Sequence, residues 1–287
     1  KNPLPDTPRK LLMTIHHLRL NGLDYAVTEE GSGEPLLMFH GFPDSARLWR
    51  HQIPALVAAG HRVIAPDLRG FGATAKPADE GAYTLGSVLG DVTALLDHFG
   101  LAQVRLVSHD WGAALGWAMA AYMPERVRCH IACSVGHLSA LWHAGIAQRR
   151  LAWYMLLFMN RGVAEEILQR DDWQWFRDLF QHHPEMETWL ADLGRPGALT
   201  AALNWYRANV GVETWTREGW VLPRVKVPTL GVWSTGDAYL TETQMVTSAR
   251  YMDAPFDYHR FEGGSHWFML DRPQDVARLF VDWLAQH

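Results

Sequence analysis

Cysteine is nearly missing from this chain: Cys129 and Cys133 are the only two. They stand four apart within one expected strand, too far apart there to bond each other, so the fold needs no oxidising compartment. Long apolar runs are missing as well. The longest, Leu151 to Met159, is nine residues, against the roughly 20 that span a bilayer. No charged-then-apolar leader opens the chain as given. Basic excess is absent too: 26 Lys and Arg against 31 Asp and Glu leave a formal charge of −5. That gives no footprint for nucleic acid. Neither repeats nor a low-complexity linker divide the 287 residues. The expectation is a cytoplasmic globular enzyme or binding protein without a membrane segment. Its composition, 48% hydrophobic and 20% charged, suits a chain that buries a sizeable core.

The elements alternate. Ile15 to Leu20 and Leu23 to Glu29 read as strands around an Asn21-Gly22 turn. Leu36 to Phe39 and Val63 to Ala65 are short apolar runs suited to strands buried on both faces. Helices are expected from Ala46 and over Leu85 to Phe99, the latter stopped by Gly100. A strand at Val104, a helix at 111–122 and a strand over Cys129 to Ser134 follow. The rhythm stops near Val135. From His137 to Trp220 the pattern is helical, punctuated at Gly162, Pro184 and Pro196-Gly197, and it holds eight of the 14 tryptophans. Alternation then resumes with strand Thr229 to Trp233, helix Glu242 to Tyr251, strand Tyr258 to Phe261 and helix Pro273 to Leu284. The economical reading is an α/β core over 1–136 and 221–287, interrupted by a helical lid over 137–220.

The richest segment is Ser108-His109-Asp110-Trp111-Gly112, between an apolar strand and a helix. A sharp strand-to-helix turn pushes its apex side chain into a pocket, and small residues two before and two after keep it clear. Ser108 and Gly112 fit, which makes Asp110 the apex. A serine there adds to carbonyls; a carboxylate instead attacks saturated carbon and forms an alkyl ester. An aspartate before a helix is also an ordinary cap, so the rest of the chain has to decide.

In doubly wound sheets the crevice lies beyond the carboxyl ends of the strands. Loops expected at such ends carry His40-Gly41-Phe42-Pro43, the turn at Asp110, Ser234-Thr235-Gly236-Asp237 and Gly263-Gly264-Ser265-His266. Among 15 histidines, His266 stands out as a base able to take a proton from water. Asp237 is its expected partner, because no Asp or Glu occurs between Arg126 and Ala164. The backbone amides of Phe42 and Trp111 are the expected oxyanion hole, and Phe42-Pro43 is a candidate cis bond. Asp67 to Gly72 lacks the dinucleotide pattern and reads as a structural loop. His16-His17 has no further ligands at metal spacing, so no metal is expected.

The order nucleophile, acid, histidine is that of the α/β-hydrolase fold, a mostly parallel sheet flanked by helices. His40-Gly41-Phe42-Pro43-Asp44-Ser45, Asp67-Leu68-Arg69-Gly70-Phe71-Gly72 and His109-Asp110-Trp111-Gly112 closely resemble soluble epoxide hydrolases. The resemblance runs from about His16 to Leu284. It implies two lid tyrosines that hydrogen-bond the epoxide oxygen. Asn204-Trp205-Tyr206-Arg207 matches one motif, and Tyr154 precedes Gly162-Val163-Ala164-Glu165 as the other requires. The implied activity opens an apolar, bulky or aryl epoxide to a vicinal diol through an ester on Asp110, without a cofactor.

Trp153, Met155 and Phe158 are the expected substrate-lining residues of the lid. Haloalkane dehalogenases share the same Asp, His and following tryptophan. Phe42 removes their asparagine donor, but Trp153, Trp173 or Trp175 could stand in for a lid tryptophan. Fluoroacetate dehalogenases resemble the chain less, since Trp111 and Ala114 stand where their arginines would. A non-catalytic ligand-binding protein of the same fold is the remaining alternative. Epoxide and water are the expected partners, and a monomer or homodimer the expected working unit.

Overall fold

The computed structural model describes residues 14–211 and 221–287. The last part of the expected lid, 212–220 with Trp215 and Trp220, lies outside them. One eight-stranded sheet runs in the order β1-β2-β4-β3-β5-β6-β7-β8. Strands β1 (Thr14–Leu20) and β2 (Leu23–Glu30) form an antiparallel hairpin. Asn21 and Gly22 turn it with φ of 47° and 78°, the positive pair that matches strand twist. β2 runs antiparallel to β4 (His61–Pro66). β3 (Glu34–Phe39), β5 (Val104–His109), β6 (Val127–Cys133), β7 (Thr229–Ser234) and β8 (Phe256–Phe261) continue the sheet in parallel. Their carboxyl ends therefore share one edge. Leu36 to Phe39 and all of β5 are buried, as expected of central strands covered on both faces.

Helix boundaries depart from the sequence pattern in two places. The helix expected from Ala46 is a tight turn over Ala46–His51, and α1 starts only at Ile53 (Ile53–Ala58). Pro54 explains the restart, because it lacks an N–H and is tolerated only in a first turn. The helix expected over Glu242 to Tyr251 tightens after Thr247, where the Ser248 hydroxyl donates to the Gln244 carbonyl at 3.0 Å. Elsewhere α2 (Leu85–His98), α3 (Trp111–Tyr122) and the helix Pro273–Leu284 lie where the periodicity puts them. Cys129 and Cys133 are free and buried in β6.

Between β6 and β7 the described chain forms α4 (Leu138–His143), α5 (Gly145–Leu151), α6 (Tyr154–Phe158), α7 (Val163–Leu179), α8 (Met186–Leu193) and α9 (Ala198–Asn209). Gly162 and Gly197 precede α7 and α9 with φ of 76° and 74°, reversals that glycine makes without strain. Helix α7 breaks at Arg170–Trp173, which leave helical geometry. These helices are bolted to the rest of the fold by buried side chains. Trp205 Nε1 donates to the Arg69 carbonyl at 2.9 Å. Trp189 Nε1 donates to the carboxylate of Asp44, also at 2.9 Å, and Asn209 Nδ2 to the Tyr83 carbonyl at 2.8 Å. The Asp67 loop is structural: its carboxylate accepts the Ala46 and Ala73 amides at 2.9 and 2.8 Å.

Candidate active site

The turn after β5 is tight enough to strain its apex. Asp110 has φ 53° and ψ −123°, a region that costs a non-glycine residue of order 1–3 kcal/mol. The turn is held by close packing. A Cβ on Gly112 would lie 2.3 Å from the His40 carbonyl oxygen and 2.5 Å from that of Phe39. Gly112→Ala should therefore destabilise the protein by about 1–3 kcal/mol despite alanine's better helix propensity. Equilibrium unfolding in urea measures this, and an unchanged midpoint would refute the packing argument.

Each carboxylate oxygen of Asp110 faces a different partner. Oδ1 accepts the Phe42 amide at 2.7 Å, and the Trp111 amide also donates to this carboxylate. The expected oxyanion-hole amides thus converge on Asp110 itself. Oδ2 lies 3.6 Å from His266 Nε2. On the other side of the ring, His266 Nδ1 is 2.8 Å from Asp237 Oδ2. Asp237 is buried, and its Oδ1 accepts the Tyr239 and Leu240 amides at 2.9 and 3.0 Å, which fixes the carboxylate that orients the imidazole. The His266 carbonyl is pinned in turn by His109 Nε2 at 3.0 Å and the Ser134 hydroxyl at 3.1 Å.

Electrostatics follow from this sandwich. Burial would lower the His266 pKa, but the flanking Asp237 and Asp110 lift it to about 10. Burial would likewise raise Asp110, yet His266 holds it below the usual carboxylate range. The resting pair is an imidazolium beside a carboxylate. His109, whose ring centroid is 4.5 Å from that of His266, is pushed by burial to about 3 and stays neutral.

Asp110, Trp111, Tyr154 and Tyr206 face one cavity. The two phenol rings stand 6.1 Å apart, nearly perpendicular. Burial, then the neighbouring phenol and Asp110, push Tyr206 well above its ordinary pKa; burial and Asp110 do the same to Tyr154. Both therefore stay protonated donors. The remaining walls are apolar, among them Leu138, Leu141, Trp142, Met155, Val210 and Leu240. Asn209 is also on the wall, but its amide is spent on Tyr83, Trp205 and Leu85.

Of the three lid residues expected to line the cavity, only Met155 does. Trp153 is corrected: it is 49% exposed and lines an outer groove with Trp175, on the far side of Tyr154, which borders both. Phe158 is corrected too. It is fully buried behind the phenols, with ring centroids 4.9 Å from Tyr206 and 5.3 Å from Tyr154. Trp153, Trp173 and Trp175, considered as halide donors, are all off the cavity wall. Trp142, which the sequence reading did not single out, is on it. Its signal was the stripe Leu138, Leu141, Trp142 at helical spacing, which is indistinguishable from a core stripe. Among the described residues no His, Cys, Asp or Glu cluster could hold a metal, and no helix is long and apolar enough to cross a membrane.

A mostly parallel sheet with a strained aspartate turn, a second aspartate and a histidine at its strand ends has the architecture of a hydrolase of the α/β class. The family profile described as alpha/beta hydrolase fold matches residues 34–273, and the chain belongs to that family. It is similar to "Epoxide hydrolase A" of Mycobacterium tuberculosis, at 28% identity over 92% of this chain and 95% of that protein. The crystal structure of epoxide hydrolase A from Mycobacterium thermoresistibile has 27% identity and a TM-score of 0.76, covering 96% of this chain and 98% of that one. A structure of novel epoxide hydrolases from metagenomes of hot environments gives 27% identity and a TM-score of 0.85, covering 96% and 100%.

Proposed function

We propose that this hydrolase opens an apolar, bulky or aryl-bearing epoxide to a vicinal diol through an ester on Asp110. The observation that carries the reading is the pairing, in one apolar cavity, of the Asp110 carboxylate with two buried neutral phenols. Its relatives named as epoxide hydrolases support it.

The geometry divides the work between the two oxygens of Asp110. Oδ2 attacks an epoxide carbon from behind, and the C–O bond breaks toward Tyr154 and Tyr206. A phenol donates its proton to the oxygen that stays on the substrate, which would otherwise form as an unassisted alkoxide. The phenolate takes back a proton that the His266 imidazolium gives up once the Asp110 charge is gone, which leaves a neutral imidazole. Oδ1 already lies against the Phe42 amide, so the ester carbonyl is born in the oxyanion hole. His266 then takes a proton from water, whose oxygen adds to the ester carbonyl carbon. The tetrahedral oxyanion rests on the Phe42 and Trp111 amides. Collapse cleaves the acyl–oxygen bond, the diol oxygen takes the proton from the imidazolium, and the Asp110 carboxyl passes its own proton to His266, which restores the resting carboxylate–imidazolium pair. Every bond is accounted for by protein, epoxide and water, so the reaction needs no cofactor. The working unit is taken as a cytoplasmic monomer or homodimer, with residues 137–220 as its lid.

Product analysis over a panel of aryl and alkyl epoxides and of 1-bromo- and 1-chloroalkanes tests this. Vicinal diols from the epoxides are the expected result. Halide release matching or exceeding epoxide turnover would overturn it in favour of a dehalogenase. No turnover of either class would favour a binding protein.

The two half-reactions should also differ in pH dependence. Alkylation needs the Asp110 anion, which is held below the usual carboxylate range, so its rate should stay flat through neutral pH and fall only in acid. Hydrolysis needs neutral His266, so it should slow as pH falls. Esterification removes the Asp110 charge, and the limb should lie below the resting value of about 10. Stopped-flow tryptophan fluorescence in single- and multiple-turnover modes separates the two. Hydrolysis that accelerates toward acid would contradict the assignment of His266 as base.

A further inference from the structure

The two phenols reach the cavity from helices held in very different ways. Tyr206 sits on α9, which is fastened to the core through Trp205 to the Arg69 carbonyl and through Asn209 to the Leu85 amide, both at 2.9 Å. Tyr154 opens α6, which is only five residues long. A helix that short has little stability of its own. Besides the ring contacts and the hydrogen bond of the phenols themselves, one charged side chain joins the two. Arg207 Nε donates at 2.9 Å to the Phe158 carbonyl, in the last turn of α6, where a helix leaves its carbonyls without internal partners.

The rest of the guanidinium is equally committed. Nη1 and Nη2 form a bidentate pair with Glu165 Oε1 and Oε2 at 2.8 and 2.9 Å, and Nη1 also reaches Asn204 Oδ1 at 3.2 Å. Glu165 takes the Gly162 amide at 2.9 Å and the Thr200 hydroxyl at 3.0 Å, which ties the start of α7 into the same knot. The Arg207 side chain is 2% exposed and that of Glu165 17%. Neither lines the cavity. A buried ion pair of this kind is a weak source of stability compared with apolar packing, so its location calls for another explanation. It sits where α6, α7 and α9 meet.

We propose that Arg207, clamped by Glu165, is a positioning residue that sets the Tyr154 hydroxyl against that of Tyr206 for ring opening. The inference rests on the epoxide reading above and adds the element that aligns its two donors. Because α9 is fixed independently, loss of the clamp should act through Tyr154 and leave Tyr206 in place. It should leave ester hydrolysis alone, since Phe42, Trp111, Asp237 and His266 are held by other elements.

The test is a pair of double-mutant cycles on the full-length protein, read as single-turnover alkylation at saturating aryl epoxide and as ester hydrolysis. Arg207→Met should slow alkylation on the order of 10- to 100-fold, as a misplaced donor does, with hydrolysis unchanged. Arg207→Lys keeps the charge against Glu165 but cannot serve two helices through one planar fork. It should slow alkylation in the same sense, and it carries the test if the methionine variant does not fold. In a Tyr154→Phe background either change should add less than about twofold, the limit of ordinary additivity. In a Tyr206→Phe background it should retain its full effect. Equal slowing in both backgrounds, slowing of both half-reactions, or untouched alkylation in folded variants would overturn the clamp. A wild-type protein that opens no epoxide would instead overturn the underlying reading.

Discussion

Replacing His266 with alanine should stop turnover and leave the substrate attached to Asp110. Attack on the epoxide uses a carboxylate that already exists as the anion and needs no base. Only the second half-reaction requires one, because water at neutral pH adds to an ester too slowly unaided. The loss in steady-state turnover should be on the order of 10²–10⁴-fold, the usual worth of a positioned base. Intact-protein mass spectrometry should show an adduct of substrate mass, mapped by digestion to Asp110. The adduct should form more slowly than in the wild type. His266 is the cation that keeps the half-buried Asp110 carboxylate ionised, so its removal lets desolvation raise the Asp110 pKa. The rate of adduct formation should then recover as pH rises, opposite in sign to any residual effect of a lost proton donor. Asp110→Ala should form no adduct in either background. Absence of an adduct in His266→Ala with substrate demonstrably bound would sink the ester mechanism.

The turn at Asp110 was legible because its constraints are local. Ser108 and Gly112 flank Asp110 by spacing alone, and the collision that a Cβ at 112 would make with the Phe39 and His40 carbonyls is the physical content of that spacing. Asp237 and His266 were legible for a related reason. Each follows an apolar strand of a parallel sheet, and parallel strands deliver their following loops to one edge. Two distant sequence positions thereby become a 2.8 Å pair.

The cavity wall was much less legible. Trp153, Met155 and Phe158 look alike as apolar lid residues, yet one faces solvent, one the cavity and one the aromatic core. Which way each points depends on how the five residues of α6 and its cap, Trp153, are rotated. That rotation is set by contacts with α9 and the core, such as Arg207 on the Phe158 carbonyl. No periodicity within so short a segment encodes it. His109 and Ser134 were missed for a different reason. They act on the backbone carbonyl of His266, and such support leaves no motif. The breaks at Pro54 and Ser248 show the same limit in the core, where apolar spacing ran through positions at which local hydrogen bonding changes the helix.

Tyr154→Phe and Tyr206→Phe should each slow alkylation, and together they should nearly abolish it in a protein that still folds. An epoxide differs from a halide in that its leaving oxygen remains tethered and gathers negative charge as the C–O bond breaks. In the cavity the other walls offer that charge little, since Leu138, Leu141, Met155 and Val210 are apolar, Asn209 is already spent, and the Trp111 and Trp142 indoles are weaker donors than a phenol. Loss of one phenol removes one of two donors, at a cost on the order of 2–4 kcal/mol if it behaves as an oxyanion-hole donor does. Loss of both leaves an alkoxide with no phenol donor in a largely apolar site, a penalty larger than the sum of ordinary single losses. The rings themselves pack against Phe158 and Phe42, and phenylalanine preserves those contacts, so melting temperature should change little. Trp111→Phe should cost less than either tyrosine change, because the oxyanion role assigned to Trp111 belongs to its backbone amide and the indole only supports the Tyr206 hydroxyl it hydrogen-bonds. A halide site would reverse this order, since a departing halide is stabilised by an indole N–H and gains little from a phenol's proton. Single-turnover alkylation rates for the four variants on one aryl epoxide decide between the two. Severe loss in Trp111→Phe with near-normal rates in both tyrosine variants would refute the epoxide assignment.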